Sequence, residues 1–139
     1  MKTNSLVTLL AFDVGDKRIG VAKANSIARM ASPLITIQND QDVFATISNI
    51  ISSEGADIIV VGLPRNLSGD DTAQTRSARE FAANLAKHTK MKVRMQDEAL
   101  TSHKAEAELR SNGKQYEKGH IDALAATYIL EDYLRDNKF

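Results

Sequence analysis

Three acids stand at positions where carboxylates could do chemistry. Asp13 closes the apolar run LVTLLAF (6–12), Glu98 ends the segment MKVRMQDE (91–98) beside Asp97, and Asp122 opens the stretch IDALAA (121–126). Carboxylates brought within a few ångströms of one another repel and raise each other's proton affinity. A divalent cation removes that difficulty. Magnesium takes hard oxygen ligands, keeps several waters and needs few protein carboxylates when a substrate phosphate completes its shell. Two such ions about 3.5–4 Å apart support in-line displacement at phosphorus. Each acid also has a plainer reading. Asp13 suits the turn before Gly15, Asp97 and Glu98 suit a solvated strand end, and Asp122 suits the first turn of a helix, where an acid gains about 0.3–1 kcal/mol from the dipole.

The elements that would position these acids read as β-β-β-α-β-α-β-α-α. The run 6–12 has the length of a central strand covered on both faces. Gly15-Asp16 supplies turn chemistry, and Ile19 and Val21 alternate in IGVAKA, predicting an antiparallel return. SPLITIQ (32–38) is a third strand, with Pro33 at its start. Val43, Phe44, Ile47, Ile50 and Ile51 share one helical face. Asp40 or Asp42 is the expected cap and Gly55 the stop. ADIIVVGLP (56–64) is the second strongly apolar strand. After the polar loop RNLSGDDTAQT (65–75), a long helix carries Ala78, Phe81, Ala82, Leu85 and Ala86 on its stripe. The segment 91–98 is a fifth strand, a short helix runs to Leu109, 110–120 is a loop, and the last helix turns Ile121, Leu124, Ala125, Tyr128 and Ile129 inward. Hairpin-connected strands followed by αβ crossovers describe a mixed sheet with helices on its faces. If the first and fifth strands are parallel, their C-terminal ends share one edge, where open α/β sheets bind ligands.

At 139 residues, 42% hydrophobic and 26% charged, the chain has the size and composition of one globular domain over 1–139. It lacks cysteine, which excludes disulfides, zinc–thiolate sites and cysteine nucleophiles and fits a cytoplasmic location. No segment reaches the roughly 18 apolar residues of a membrane span, so no membrane partner is expected. Lys2 and the run after it resemble a short signal peptide, but Asp13 interrupts the run and no cleavage site follows.

Eighteen basic residues balance eighteen acidic ones, so any nucleic-acid surface must come from local segregation of charge. Lys17 and Arg18 follow the first acid. Arg65 sits just past the fourth strand, Arg76 and Arg79 are neighbours on one helix face, and Lys118 leads toward Asp122. Each is a candidate phosphate contact, and each is equally readable as a solvated charge. With three tyrosines, four phenylalanines and no tryptophan, no base-stacking platform is evident.

Four blocks, DVGDKRIGVA (13–22), VVGLPRNLSGDD (60–71), DEALTS (97–102) and IDALAA (121–126), taken together in this order, resemble the YqgF/RuvX family of Holliday junction resolvase-like nucleases. The likeness runs from about residue 6 to 134. It implies an RNase H-like α/β fold with a five-stranded sheet in the order 3-2-1-4-5 and helices on both faces. It also implies that Asp13, Glu98 and Asp122 are the catalytic and metal-binding acids, holding Mg2+ or Mn2+. The implied substrate is structured nucleic acid, either the precursor of small-subunit ribosomal RNA or branched DNA. One departure stands out. The family usually shows DERLT, and Ala99 replaces that arginine, leaving Lys104 or Arg94 as the cations able to substitute for its fork.

The expectation is therefore a metal-dependent endonuclease, as monomer or homodimer. The alternative is a non-catalytic module that binds nucleic acid or the ribosome, which Ala99 and the zero net charge favour. A third class, the nucleotide-binding lobe of actin-like ATPases, resembles DVGDKRIG but needs two lobes, more than this chain holds.

Overall fold

The computed structural model describes residues 6–66, 68–99 and 118–138, the side chains at 99 and 118–120 excepted. Strands β1 (Thr8–Val14), β2 (Arg18–Asn25) and β3 (Ser32–Gln38) precede helix α1 (Val43–Glu54). Then come β4 (Ile58–Arg65), α2 (Ala73–Thr89), β5 (Val93–Ala99) and α3 (Lys118–Asp136). The five strands form one sheet in the order β3-β2-β1-β4-β5. β1 pairs antiparallel with β2 and parallel with β4, and β5 is parallel to β4. This is the expected mixed sheet, and the C-terminal ends of β1, β4 and β5 do share an edge. The short helix predicted before Leu109 lies outside the described residues.

The two faces of the sheet are built differently. One carries large residues: Leu10 and Phe12 of β1, Ile19 and Val21 of β2, Ile59 and Val61 of β4. These pack against Val43 and Ile47 of α1 and Phe81, Ala82 and Leu85 of α2. The other face is lined by smaller ones, Ala11, Ala22 and Ala24 with Leu9 and Val60, and takes Ala126, Ile129, Leu130, Tyr133 and Leu134 of α3. Two glycines extend this small-residue face. A Cβ at Gly62 would lie 2.3 Å from Ile129 Cδ1, and one at Gly20 would lie 1.8 Å from the Asp122 carbonyl oxygen. Without side chains there, α3 lies almost on the backbone of β2.

Two expectations need correction and one needs detail. The last helix starts at Lys118, so Asp122 lies in its second turn and no acid stands in the first. The dipole benefit fades beyond the first turn and does not account for this residue. The inward stripe of α3 is buried or partly buried as expected, but divided between two clusters. Ile129 faces the sheet, but Ala125 and Tyr128, with Ile121 and Leu124, form a separate cluster. Finally, α2 begins at Ala73, inside the segment read as loop. No helix among the described residues is long and apolar enough to cross a membrane.

Local chemistry sets the helix ends. Gly55 ends α1 in the left-handed conformation (φ 65°). Asp42 occupies the N-cap position without a side-chain cap bond, while Asp40 Oδ1 accepts from the Asp42 amide at 3.0 Å. At α2, Thr72 and Thr75 form a reciprocal capping box, and the Thr75 hydroxyl donates to the Pro64 carbonyl at the end of β4. Thr75 is fully buried, so Thr75→Val orphans that carbonyl and the Thr72 amide. Equilibrium urea unfolding is expected to show a loss of about 1–3 kcal/mol.

Candidate active site

Asp13 is the penultimate residue of β1 and is half-buried. Strand alternation puts it on the face of Leu9 and Ala11, under α3. Its register partner on β2 is Gly20, the residue on which the Asp122 backbone rests. Asp13 and Asp122 are therefore brought together by one close helix–strand contact, although 109 residues separate them in sequence (122 minus 13). Burial, and then the charge of Asp122, raise the Asp13 carboxyl from 3.8 to about 7. Asp122 has a cation: Arg18, the first residue of β2, donates from Nε to Asp122 Oδ2 at 2.8 Å. Arg18 shares the α3-facing side of β2 with Gly20 and Ala22 by the same alternation.

Glu98 stands apart from this pair. It faces the α3 side, in line with Gln96, whose amide donates to Asp136 at 3.3 Å. Asp97 faces the opposite side, where Arg65 Nε meets it at 3.1 Å. Of the two acids in the DE pair, Glu98 thus shares the face of Asp13. It does not share its level. Carrying the registers one residue past Phe12 and Val61 sets Asp13 level with Gly62 and Gln96, so Glu98 lies two residues further along a strand about 10 Å away. Its charge acts on Arg135, about 20 Å along α3 from Asp122. Among the described residues no group of three His, Cys, Asp or Glu side chains could hold one ion.

The two converged acids nevertheless fit a hard divalent cation. Both offer carboxylate oxygens. The Asp13 carboxyl accepts no hydrogen bond and meets no cationic side chain among the described residues, and its ionised form is disfavoured as things stand. Magnesium is commonly held by one or two carboxylates, with water and substrate phosphate supplying the rest.

The predicted phosphate contacts divide. Lys17 is exposed at the tip of the β1–β2 hairpin. Arg18 is engaged with Asp122. Arg65 and Arg79 both bond Asp71, and Arg65 also bonds Asp97. Arg79 first, then Arg65, hold Asp71 below the usual carboxylate range. This network lies at the end of β4 on the α2 side of the sheet, so Arg65 does not face the acids. Arg76 is exposed on α2, with no ion-pair partner among the described residues. The side chain of Lys118 lies outside the described residues, as does Lys104. Arg94 is on the same face of β5 as Glu98, but four residues, about 13 Å, away, and it does not replace the arginine absent at Ala99.

Gly20 is the contributor that motif reading misses. Its signal was present: Gly20, Ala22 and Ala24 are the small residues at every second position of β2, against bulky Ile19 and Val21.

Residues 7–136 match the family described as "RuvX: Holliday junction resolvase". The chain belongs to the RuvX family. It is 39% identical over 128 residues to a protein of Sulfurihydrogenibium sp. named "Putative pre-16S rRNA nuclease", covering 91% of this chain and 88% of that one. A protein of Dechloromonas aromatica with the same name is 40% identical over 130 residues, covering 91% and 89%. Among solved structures, Thermus thermophilus RuvC in complex with a Holliday junction substrate superposes with a TM-score of 0.57 at 14% identity, covering 94% of this chain and 96% of that one. Fowlpox virus resolvase with Holliday junction DNA gives 0.54 at 8% identity, covering 94% and 98%. At such identities these two share the fold with this RuvX-family chain, and the match extends over nearly its whole length.

Proposed function

We propose that this protein is a divalent-metal-dependent endonuclease acting on structured nucleic acid in the cytoplasm, with the precursor of small-subunit ribosomal RNA or a four-way DNA junction as substrate. The observation that carries this reading is the pairing of Asp13 with Asp122 under α3, with Arg18 beside them. The names of the RuvX-family relatives support the substrate class.

Asp13 and Asp122 would hold the ion, magnesium or manganese, and Glu98 is the third acid because it faces the same side of the sheet. When bound, the ion supplies positive charge to a phosphodiester and makes an attacking water more acidic. The protein's own part is placement. β1 fixes Asp13 in the sheet, and Gly20 admits the α3 backbone so that Asp122 stands beside it. Lys17 and Arg18 offer donors for backbone phosphates at the hairpin next to the acids, and Arg65, Arg76, Arg79 and Lys118 are the more distant candidates for tracking the strand.

Cleavage of precursor ribosomal RNA and of a four-way junction, assayed with magnesium, with manganese and with chelator, tests the reading. Metal-dependent cleavage is expected for the native protein, with Asp13→Asn and Asp122→Asn reduced by more than about a hundredfold, beyond the 10–100-fold typical of outer-shell changes. Full activity in Asp13→Asn would overturn the assignment. Full activity in Glu98→Gln would remove Glu98 and leave the pair. The lack of a three-acid cluster among the described residues favours one other reading, a binding module without catalysis. It predicts metal-independent binding and no cleavage under any of these conditions.

A further inference from the structure

We infer that Arg18 is a resident counter-ion of the acid pair, which occupies Asp122 in the metal-free protein and must release it for a divalent cation to load. The inference rests on the ion-binding reading of Asp13 and Asp122 given above and adds a control step to it.

The geometry is that of a detachable contact. A single nitrogen, Nε, meets a single oxygen, Asp122 Oδ2, at 2.8 Å. The two terminal nitrogens of the guanidinium make no hydrogen bond among the described residues. The contact is reachable from solvent, with 33% of the Arg18 side chain and 21% of the Asp122 side chain exposed. Both backbones are anchored. The Gly15 amide donates to the Arg18 carbonyl at 3.0 Å, and the Asn39 amide donates to Lys17 O at 2.9 Å. Asn39 Nδ2 donates to Gly15 O at 2.8 Å. Asp122 is seated on Gly20. The Arg18 side chain is the longer and the more exposed of the two, so it is the partner with more room to move.

Competition follows from distance. A magnesium ion sits about 2.0–2.1 Å from its carboxylate oxygen. A guanidinium nitrogen at 2.8 Å on that same oxygen would bring two cations within about 5 Å in a half-buried position, where like charges are poorly screened. Oδ2 of Asp122 therefore holds one or the other. Release has a second consequence, because a freed guanidinium presents a planar fork suited to phosphate. Ion loading thus exposes a phosphate donor beside the acids, and the two binding events become coupled.

The test uses the native protein with the side-chain Nε–Hε NMR signal of Arg18 as reporter, assigned by its absence in Arg18→Gln and checked in Arg18→Lys. Magnesium is titrated in parallel by calorimetry. The Arg18 signal is expected to move to the position of exposed arginines, with the same midpoint as the heat, and Arg18→Gln is expected to bind magnesium about tenfold more tightly, within the range of ordinary coupled sites. Binding heat with an unmoved signal, or unchanged or weaker affinity in Arg18→Gln, would overturn the inference and leave the ion site standing. No binding heat in either protein would instead remove the ion-binding reading, and this inference with it. The signal shift is read on the native chain, while Arg18→Gln, with Arg18→Lys as the second variant, serves for its assignment and for the affinity comparison.

Discussion

Gly20→Ala is expected to lower the melting temperature by roughly 10 °C and to separate Asp122 from Asp13. The added methyl carbon would stand 1.8 Å from the Asp122 carbonyl oxygen, 2.1 Å from its carbon and 2.7 Å from the Ala123 amide nitrogen. All three are backbone atoms, so no rotamer change relieves the clash and α3 must lift from β2. Overpacking of a core typically costs 1–3 kcal/mol, more when the backbone moves. A loss of about 3 kcal/mol in a domain of this size corresponds to a shift on the order of 10 °C. Gly62→Ala provides the contrast. Its clash is with the tip of Ile129, Cδ1 at 2.3 Å, which can rotate, so a loss under about 1.5 kcal/mol is expected. Differential scanning calorimetry of the two variants separates these cases, and equal shifts would refute the close-packing argument. Function distinguishes them further. Only Gly20→Ala moves the Asp122 carboxylate, so only it should lose metal-dependent cleavage in proportion to the displacement.

The same contact shows what was legible in the sequence and what was not. Continuous apolar runs mark β1 and β4, and period-two alternation marks β2 and β5, because a side chain's face is a local property. The alternation even assigns Glu98, which alternates with Gln96 and Arg94, to the side opposite Asp97, Met95 and Val93. The sheet order was legible through the four motif blocks taken together. What alternation does not carry is level. Whether Glu98 meets Asp13 depends on the β4–β5 register and on how far each strand runs, and the structure leaves them two residues and two strands apart. The start of α3 is hidden in the sequence because Gly119 is a poor helix former and His120 a middling one, and packing along the rest of the helix outweighs that local preference. Arg18 was legible as a charge but not as the partner of Asp122, since a pair 104 residues apart is a product of the fold. Likewise Arg65 and Arg79 look like free cations until Asp71 is seen between them.

Asp13→Asn is expected to stabilise the metal-free protein at neutral and alkaline pH while abolishing its stabilisation by magnesium. The sign follows from the proton affinities. In the unfolded chain the carboxyl titrates near 3.8, and in the folded protein burial and Asp122 raise it to about 7. Below about pH 4 both states are protonated and the residue contributes nothing. Between about pH 4 and 7 the folded state holds a proton that the unfolded state has lost, so stability falls as pH rises. Above about pH 7 the folded protein must carry the ionised group, and the full penalty applies. A shift of this size corresponds to at most about 4 kcal/mol, and partial exposure of the residue brings the expectation to roughly 2–4 kcal/mol. Asparagine keeps the shape and removes the charge. In chelator, the difference in unfolding free energy between Asp13→Asn and the native protein should therefore grow from about zero near pH 4 to roughly 2–4 kcal/mol near pH 8. Magnesium is expected to reverse the ranking if the proposed site binds it, because an ion bound only by the folded native protein adds stability as RT ln(1 + [L]/Kd), and the variant would lack one of the two proposed ligands. Urea unfolding across this pH range, with and without magnesium, reads both effects. A native protein whose stability does not fall between pH 4 and 7 relative to the variant would show that Asp13 is not held against its charge, and the physical case for a cation at this pair would go with it.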